Sequence, residues 1–131
     1  MSGDTWNETM QGRDKRGFEA ARAASYLSNA IHARRMGAAL FAGPTLLSVG
    51  FNEYKTHPES PRNTIHAEHR ALLRRQYRTN NNLTVYVYRE TTDGKPAYSR
   101  PCENCVRLMR EAGVRTVKYF SENGCVCRIR L

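Results

Sequence analysis

Nowhere in its 131 residues does the chain carry an apolar run approaching the roughly 20 residues that a membrane-spanning helix requires. The N-terminal stretch MSGDTWNETMQGRDKRG also lacks the apolar segment of a secretory signal, so a soluble, cytoplasmic protein is expected. Cysteine is scarce, at four residues, and with nothing marking secretion a reducing compartment suits them better than two disulfides. Acidic side chains are short as well: Asp+Glu 12 against Lys+Arg 21 leaves a formal charge of +9. That excess raises the local concentration of phosphate-bearing partners, although a merely basic, well-solvated surface would look the same and neither bears on the fold. Internal repeats and low-complexity tracts are missing.

What remains is enough for one core and too short for two. Residues 1–16 are polar and without apolar period, which reads as a flexible N-terminal arm before a single domain over 17–131. From Gly17 the Ala-rich stretch GFEAARAASYLSNAIHARR places Phe18, Ala21, Leu27 and Ile31 near helical spacing. Two apolar runs, GAALFAG and LLSVGFN, flank Gly43, Pro44 and Thr45 and predict a tight hairpin. EYKTHPESPRNTI, with two prolines, reads as a loop leading to a helix that starts near His66, with Ala71, Leu72, Leu73 and Tyr77 on its apolar side. LTVYVYRE alternates like a central strand, RPCENCVRLMREAG predicts a short helix closed by Gly113, and VRTVKYF and CVCRIRL predict two antiparallel strands joined at SENG. The sum is an α/β fold: a mixed five-stranded sheet with helices on its faces.

The chemistry concentrates at two places. Cys102 and Cys105, three apart at a predicted helix start, can point to one side and reach one ion, and the helix macrodipole there favours thiolate. His66 opens the other helix and could supply a third ligand, leaving one tetrahedral position open as in catalytic zinc sites. Glu68, two residues on, projects differently from a ligand at His66 and would face the water on such a metal, where a carboxylate can take its proton. Each half alone is weak, since a Cys-x-x-Cys can be redox-active or buried and a His-x-Glu arises by chance. Their order, His-x-Glu followed after a strand by Pro-Cys-x-x-Cys, is the pattern of zinc nucleobase deaminases.

On HAE (His66, Ala67, Glu68) and PCENC (Pro101 to Cys105) the chain resembles the cytidine deaminase superfamily, and in particular its small deoxycytidylate-deaminase-like, often phage-encoded members. VGFNEYKTHP and the tract from VYVYRE through DGKPAYSRPC are similar to the phage group, and the likeness runs from about Gly17 to the C-terminus. The resemblance implies a three-layer α/β/α fold, Zn²⁺ on His66, Cys102 and Cys105, and Glu68 as catalytic proton shuttle. It further implies hydrolytic deamination of cytosine in a free nucleoside or nucleotide, with cytosine in a polynucleotide, DNA or RNA, as the alternative. Asn52 matches a sugar-binding Asn of many relatives, and the backbone N–H of Ala67 a contact to the base. Relatives often form homo-oligomers. His66 and the antiparallel C-terminal strands combine features of different branches, and TTDGKPAYSR could form a lid or line the pocket.

Other residues have plainer readings. Cys125 and Cys127, two apart on one strand face, suit packing better than a second metal. His32, His57 and His69 carry no assignment beyond surface or pocket border. Arg70, Arg74, Arg75 and Arg78 fit a solvated helix face or a phosphate track. Tyr86 and Tyr88 should share a side with at least one in the core, whereas Tyr98, just before the cysteines, is placed to stack on a base.

Overall fold

The computed structural model describes residues 10, 12–29, 35–54, 64, 65, 71 and 82–131. Helix α1 (Gly12–Ser25) leads into the strands β1 (Met36–Ala42) and β2 (Thr45–Phe51), then the short β3 (Glu53–Tyr54) and β4 (Thr64–Ile65). After these come β5 (Leu83–Arg89), helix α2 (Glu103–Glu111), β6 (Val114–Phe120) and β7 (Val126–Arg130). The main sheet has the order β2-β1-β5-β6-β7, with β5 and β6 parallel and every other neighbour antiparallel. The mixed five-stranded sheet and the C-terminal antiparallel pair are therefore as the alternation of the strands predicts.

The hairpin turns at Gly43, whose φ of +58° is the left-handed conformation that glycine adopts without strain. Its strands feed two cores, because alternate residues face opposite ways. Ala39, Phe41, Tyr86, Tyr88 and Phe120 pack with Phe18 and Ala21 of α1. Ala38, Leu40, Val85, Val87 and Val117 pack with Cys105, Val106 and Met109 of α2. The sheet is thus sandwiched between helices, the three-layer arrangement expected. Phe18 is fully buried and meets Phe120 and Tyr86 at centroid distances of 4.6 and 5.1 Å. Burying such a ring contributes roughly 1.5–3 kcal/mol. Gly37 lets the end of α1 lie directly on β1: a Cβ there would sit 1.9 Å from the Ala21 carbonyl oxygen.

Three expectations need correction. Helix α1 begins at Gly12, inside the stretch assigned to the arm, because Asp14 accepts bonds from Tyr86 and Lys118 and ties the first turn to the sheet. It also ends at Ser25, well before Ile31, where the Ser25 hydroxyl turns back on the Arg22 carbonyl and Ser28 N–H bonds to Ser25. Leu27, placed on the apolar face by its spacing, is 64 % exposed as a result. Finally, the ends of the stretch EYKTHPESPRNTI are strand rather than loop: Glu53 pairs with Ile65 and Tyr54 with Thr64.

Candidate metal centre and active site

In open α/β sheets, ligands gather outside the carboxyl ends of the parallel strands. Here that edge is the end of β5 and β6, and the chain returns to it just before the cysteines. Thr91–Lys95 is a tight turn, with Lys95 O accepting from Thr91 N–H and Gly94 at φ +85°. Ala97 N–H then bonds to Arg89 O at 2.7 Å, and Arg89 Nε donates to Tyr98 O at 3.0 Å. Ser99, 1 % exposed, enters between the strand ends: its N–H donates to Phe120 O, its hydroxyl to Val87 O, and it accepts from Phe120 N–H. The stretch is hence pinned along the sheet end.

Two residues beyond Ser99, Pro101 is buried and Cys102 becomes the N-cap of α2, extended at φ −71°, ψ 163°, with its carbonyl accepting the first helical bond from Val106 N–H at 2.9 Å. The Cys102 side chain does not cap the helix, a position where Ser, Thr, Asp or Asn would contribute about 1 kcal/mol. Cys105 follows one turn on, 3 % exposed, against the α2-side core. Cys102 is exposed, and none of the four cysteines is in a disulfide. A solvent-reachable and a buried sulfur on one helix start is a donor pair suited to a borderline-soft divalent ion. His66, Ala67 and Glu68 lie outside the described residues, as do His32, His57, His69 and the arginines Arg70, Arg74, Arg75 and Arg78. Among the described residues no three His, Cys, Asp or Glu side chains gather.

Asn52, at the end of β2, is 6 % exposed and its carboxamide oxygen accepts from Ser28 Oγ and Met36 N–H, both at 2.8 Å. Ser28 Oγ also reaches Asn52 O at 2.7 Å. Asn52 consequently knots the end of β2 to the chain after α1, a role its sequence position did not reveal. Tyr98 is 41 % exposed and meets Tyr119 edge-on at 6.5 Å. Arg100 donates to the Tyr119 hydroxyl at 3.1 Å, and that bond raises its pKa. Tyr86 and Tyr88 are both core, on the α1 side. Burial first, and the neighbouring Asp14 and Glu90 next, push both phenols well above the usual tyrosine range. Cys125 is exposed at the edge of the SENG turn and Cys127 half-buried, so only the second fits the packing role. Ser99 and Ser28 escaped sequence reading, since nothing in a lone serine marks a clasp.

The chain's sequence matches the pattern of the cytidine and deoxycytidylate deaminase zinc-binding region over residues 11–121. No curated protein matches it. Among solved structures it resembles the dCMP deaminase of cyanophage S-TIM5 in apo form, with a TM-score of 0.65 and 19 % identity over 86 % of each chain. It also resembles the cytidine deaminase of Burkholderia pseudomallei, with a TM-score of 0.62 and 25 % identity over 88 % of this chain and 90 % of that one. For the cytidine deaminase of Mycobacterium leprae the TM-score is 0.58, at 19 % identity over 90 % of this chain and 94 % of that one. The chain belongs to the zinc-dependent cytidine and deoxycytidylate deaminase family.

Proposed function

We propose that this deaminase-family chain hydrolyses cytosine to uracil in a free cytidine or deoxycytidine nucleoside or nucleotide, releasing ammonia, in the cytoplasm. The observation that carries this reading is the placement of Cys102 at the N-cap and Cys105 one turn into α2, at the carboxyl end of the parallel strands. Together with His66 they would hold Zn²⁺ through two sulfurs and one imidazole, a ligand number that would leave a fourth position for chemistry. Zinc bound there would supply an activated water, its pKa lowered from 15.7 toward about 7.

The remaining work falls to this chain's side chains. Glu68 takes one proton from the attacking water and gives it to N3 of the base, then takes the second from the new hydroxyl on C4 and gives it to the departing amine, so that C4 becomes a carbonyl and ammonia leaves. Asn52, whose oxygen accepts from Ser28 and Met36, would turn its amide nitrogen, a donor, toward an acceptor such as a sugar hydroxyl oxygen. The Ala67 N–H donates to the base. Tyr98 offers an exposed ring beside the cysteines for stacking.

The cyanophage S-TIM5 dCMP deaminase, solved with dCMP and dUMP at a TM-score of 0.61 and 19 % identity, makes dCMP the first substrate to test. Exposed Tyr98 and the charge of +9 favour a second reading, cytosine within a polynucleotide. Zinc-loaded protein is incubated with deoxycytidine, dCMP, and single- and double-stranded oligonucleotides, and uracil is counted. Uracil from the monomers carries the proposal, uracil from oligonucleotides alone replaces it with the second reading, and none from any of them overturns both.

A further inference from the structure

On the face of the sheet opposite Cys105 lies a cleft of about 130 Å³ lined by Ser25, Tyr26, Arg35, Glu90, Thr92 and Gly94, among others. Its position follows from strand alternation. Gly37, Ala39 and Phe41 face α1 while Ala38 and Leu40 face α2, so Arg35, two before Gly37, falls on the α1 side. Arg35 Nε is buried and has no hydrogen-bond partner, the single such side-chain atom among the described residues. A native structure rarely leaves a buried charged donor in that state, because its desolvation is uncompensated.

Among the described residues, the carboxylate lining the cleft is already served. Glu90 receives Arg22 Nε at 2.9 Å, the Tyr26 hydroxyl at 3.0 Å and the Tyr88 hydroxyl, so it is the counter-ion of Arg22 and not of Arg35. At the end of α1 the carbonyls of Arg22, Ala23, Ala24 and Ser25 accept from Ser25 Oγ, Tyr26 N, Leu27 N and Ser28 N. With Glu90 and Arg22 cancelling, Arg35 leaves the cleft a net positive charge beside the hydroxyl-bearing turn Thr91–Gly94.

We propose that this cleft is a second ligand site, separate from the cysteine face, that binds the phosphate group of a small ligand on Arg35. A guanidinium fork matches a tetrahedral oxyanion with several acceptors, and such a group in the cleft would give Arg35 the counter-charge that Glu90, engaged by Arg22, does not. The site does not depend on which base the chain deaminates.

The test measures thermal unfolding and calorimetric binding of the wild type, Arg35→Gln and Arg35→Met, with inorganic phosphate, methyl phosphate or acetate at matched ionic strength. Phosphate is expected to raise the wild-type Tm by several degrees and acetate not to. Both variants should lose that response, with affinity weakened by roughly ten- to a hundredfold. In phosphate-free buffer Arg35→Met should be at least as stable as the wild type, since a buried unpaired donor has gone. Methyl phosphate matching inorganic phosphate would identify a monoester ligand, and inorganic phosphate alone the free ion; both carry the proposal. An equal phosphate response in the variants, an equal response to acetate, or no response in the wild type overturns it.

Discussion

Ser99 and Phe120 exchange hydrogen bonds: the Ser99 N–H donates to Phe120 O at 3.0 Å and the Phe120 N–H donates to Ser99 Oγ at 2.9 Å. The strand register of β5 and β6 ends at Tyr86 and Lys118, so this exchange replaces the ladder where the two strands part. It also fixes the approach of the chain to Cys102. Replacing Ser99 by Ala leaves the Phe120 N–H and the Val87 carbonyl without that hydroxyl inside the protein, at a cost of about 1–3 kcal/mol. Urea unfolding measures the loss, and zinc affinity should fall with it, because the cysteine pair loses its anchor.

Gly37 against α1 gives a sharper expectation. A methyl group would meet the Ala21 carbonyl oxygen at 1.9 Å and the Ser25 nitrogen at 2.5 Å, both backbone atoms that cannot rotate away. Gly37→Ala should therefore displace α1 and cost on the order of 3 kcal/mol or more, read as a collapse of the Tm. Gly43→Ala, with φ +58° but nothing within 4 Å, should cost only about 1–2 kcal/mol.

Asn52 joins structure to substrate. Asn52→Ala removes the acceptor shared by Ser28 Oγ and Met36 N–H and should cost about 2 kcal/mol in stability, measured by denaturant titration. The same variant should lower kcat/KM for dCMP if Nδ2 holds the sugar. A stability loss with unchanged kcat/KM would assign the residue to the fold alone.

The sheet was readable because it rests on period-two alternation, which survives in LTVYVYRE and VRTVKYF whatever their surroundings. The glycines at the hairpin turn and at the end of α2, Gly43 and Gly113, could be read in the same way, since both take the positive φ that few other residues tolerate. Long-range satisfaction of polar groups was not readable. Helix α1 starts early because Asp14 meets Tyr86 and Lys118, residues 72 and 104 positions away, and no local propensity encodes that. It stops early because serines turn back on its last carbonyls while the Ala-rich composition would let it continue. In the site, the cysteine motif shows through its spacing, whereas Ser99 and Ser28 act through partners that the linear order separates.

The buried phenols set an alkaline limit. Burial, reinforced by Asp14 at Tyr86 and Glu90 at Tyr88, keeps both protonated in the folded state above their unfolded pKa of about 10. The folded state then binds more protons than the unfolded one, so this contribution is complete below about pH 10 and stability falls as pH rises beyond it. Tyrosinate absorbance should show both titrating only as the protein unfolds, and Tyr88→Phe should move that transition to higher pH. Ionisation of Tyr86 and Tyr88 with the fold intact would contradict their burial.

The most direct measurement is X-ray absorption at the zinc edge of the zinc-loaded protein. One zinc per chain is expected, with two sulfurs at about 2.3 Å and lighter donors, imidazole included, at about 2.0–2.1 Å. That two-sulfur shell should be lost in Cys102→Ser and Cys105→Ser and retained in Cys125→Ser. A four-sulfur shell, or a spectrum unchanged when Cys102 and Cys105 are replaced, would contradict it.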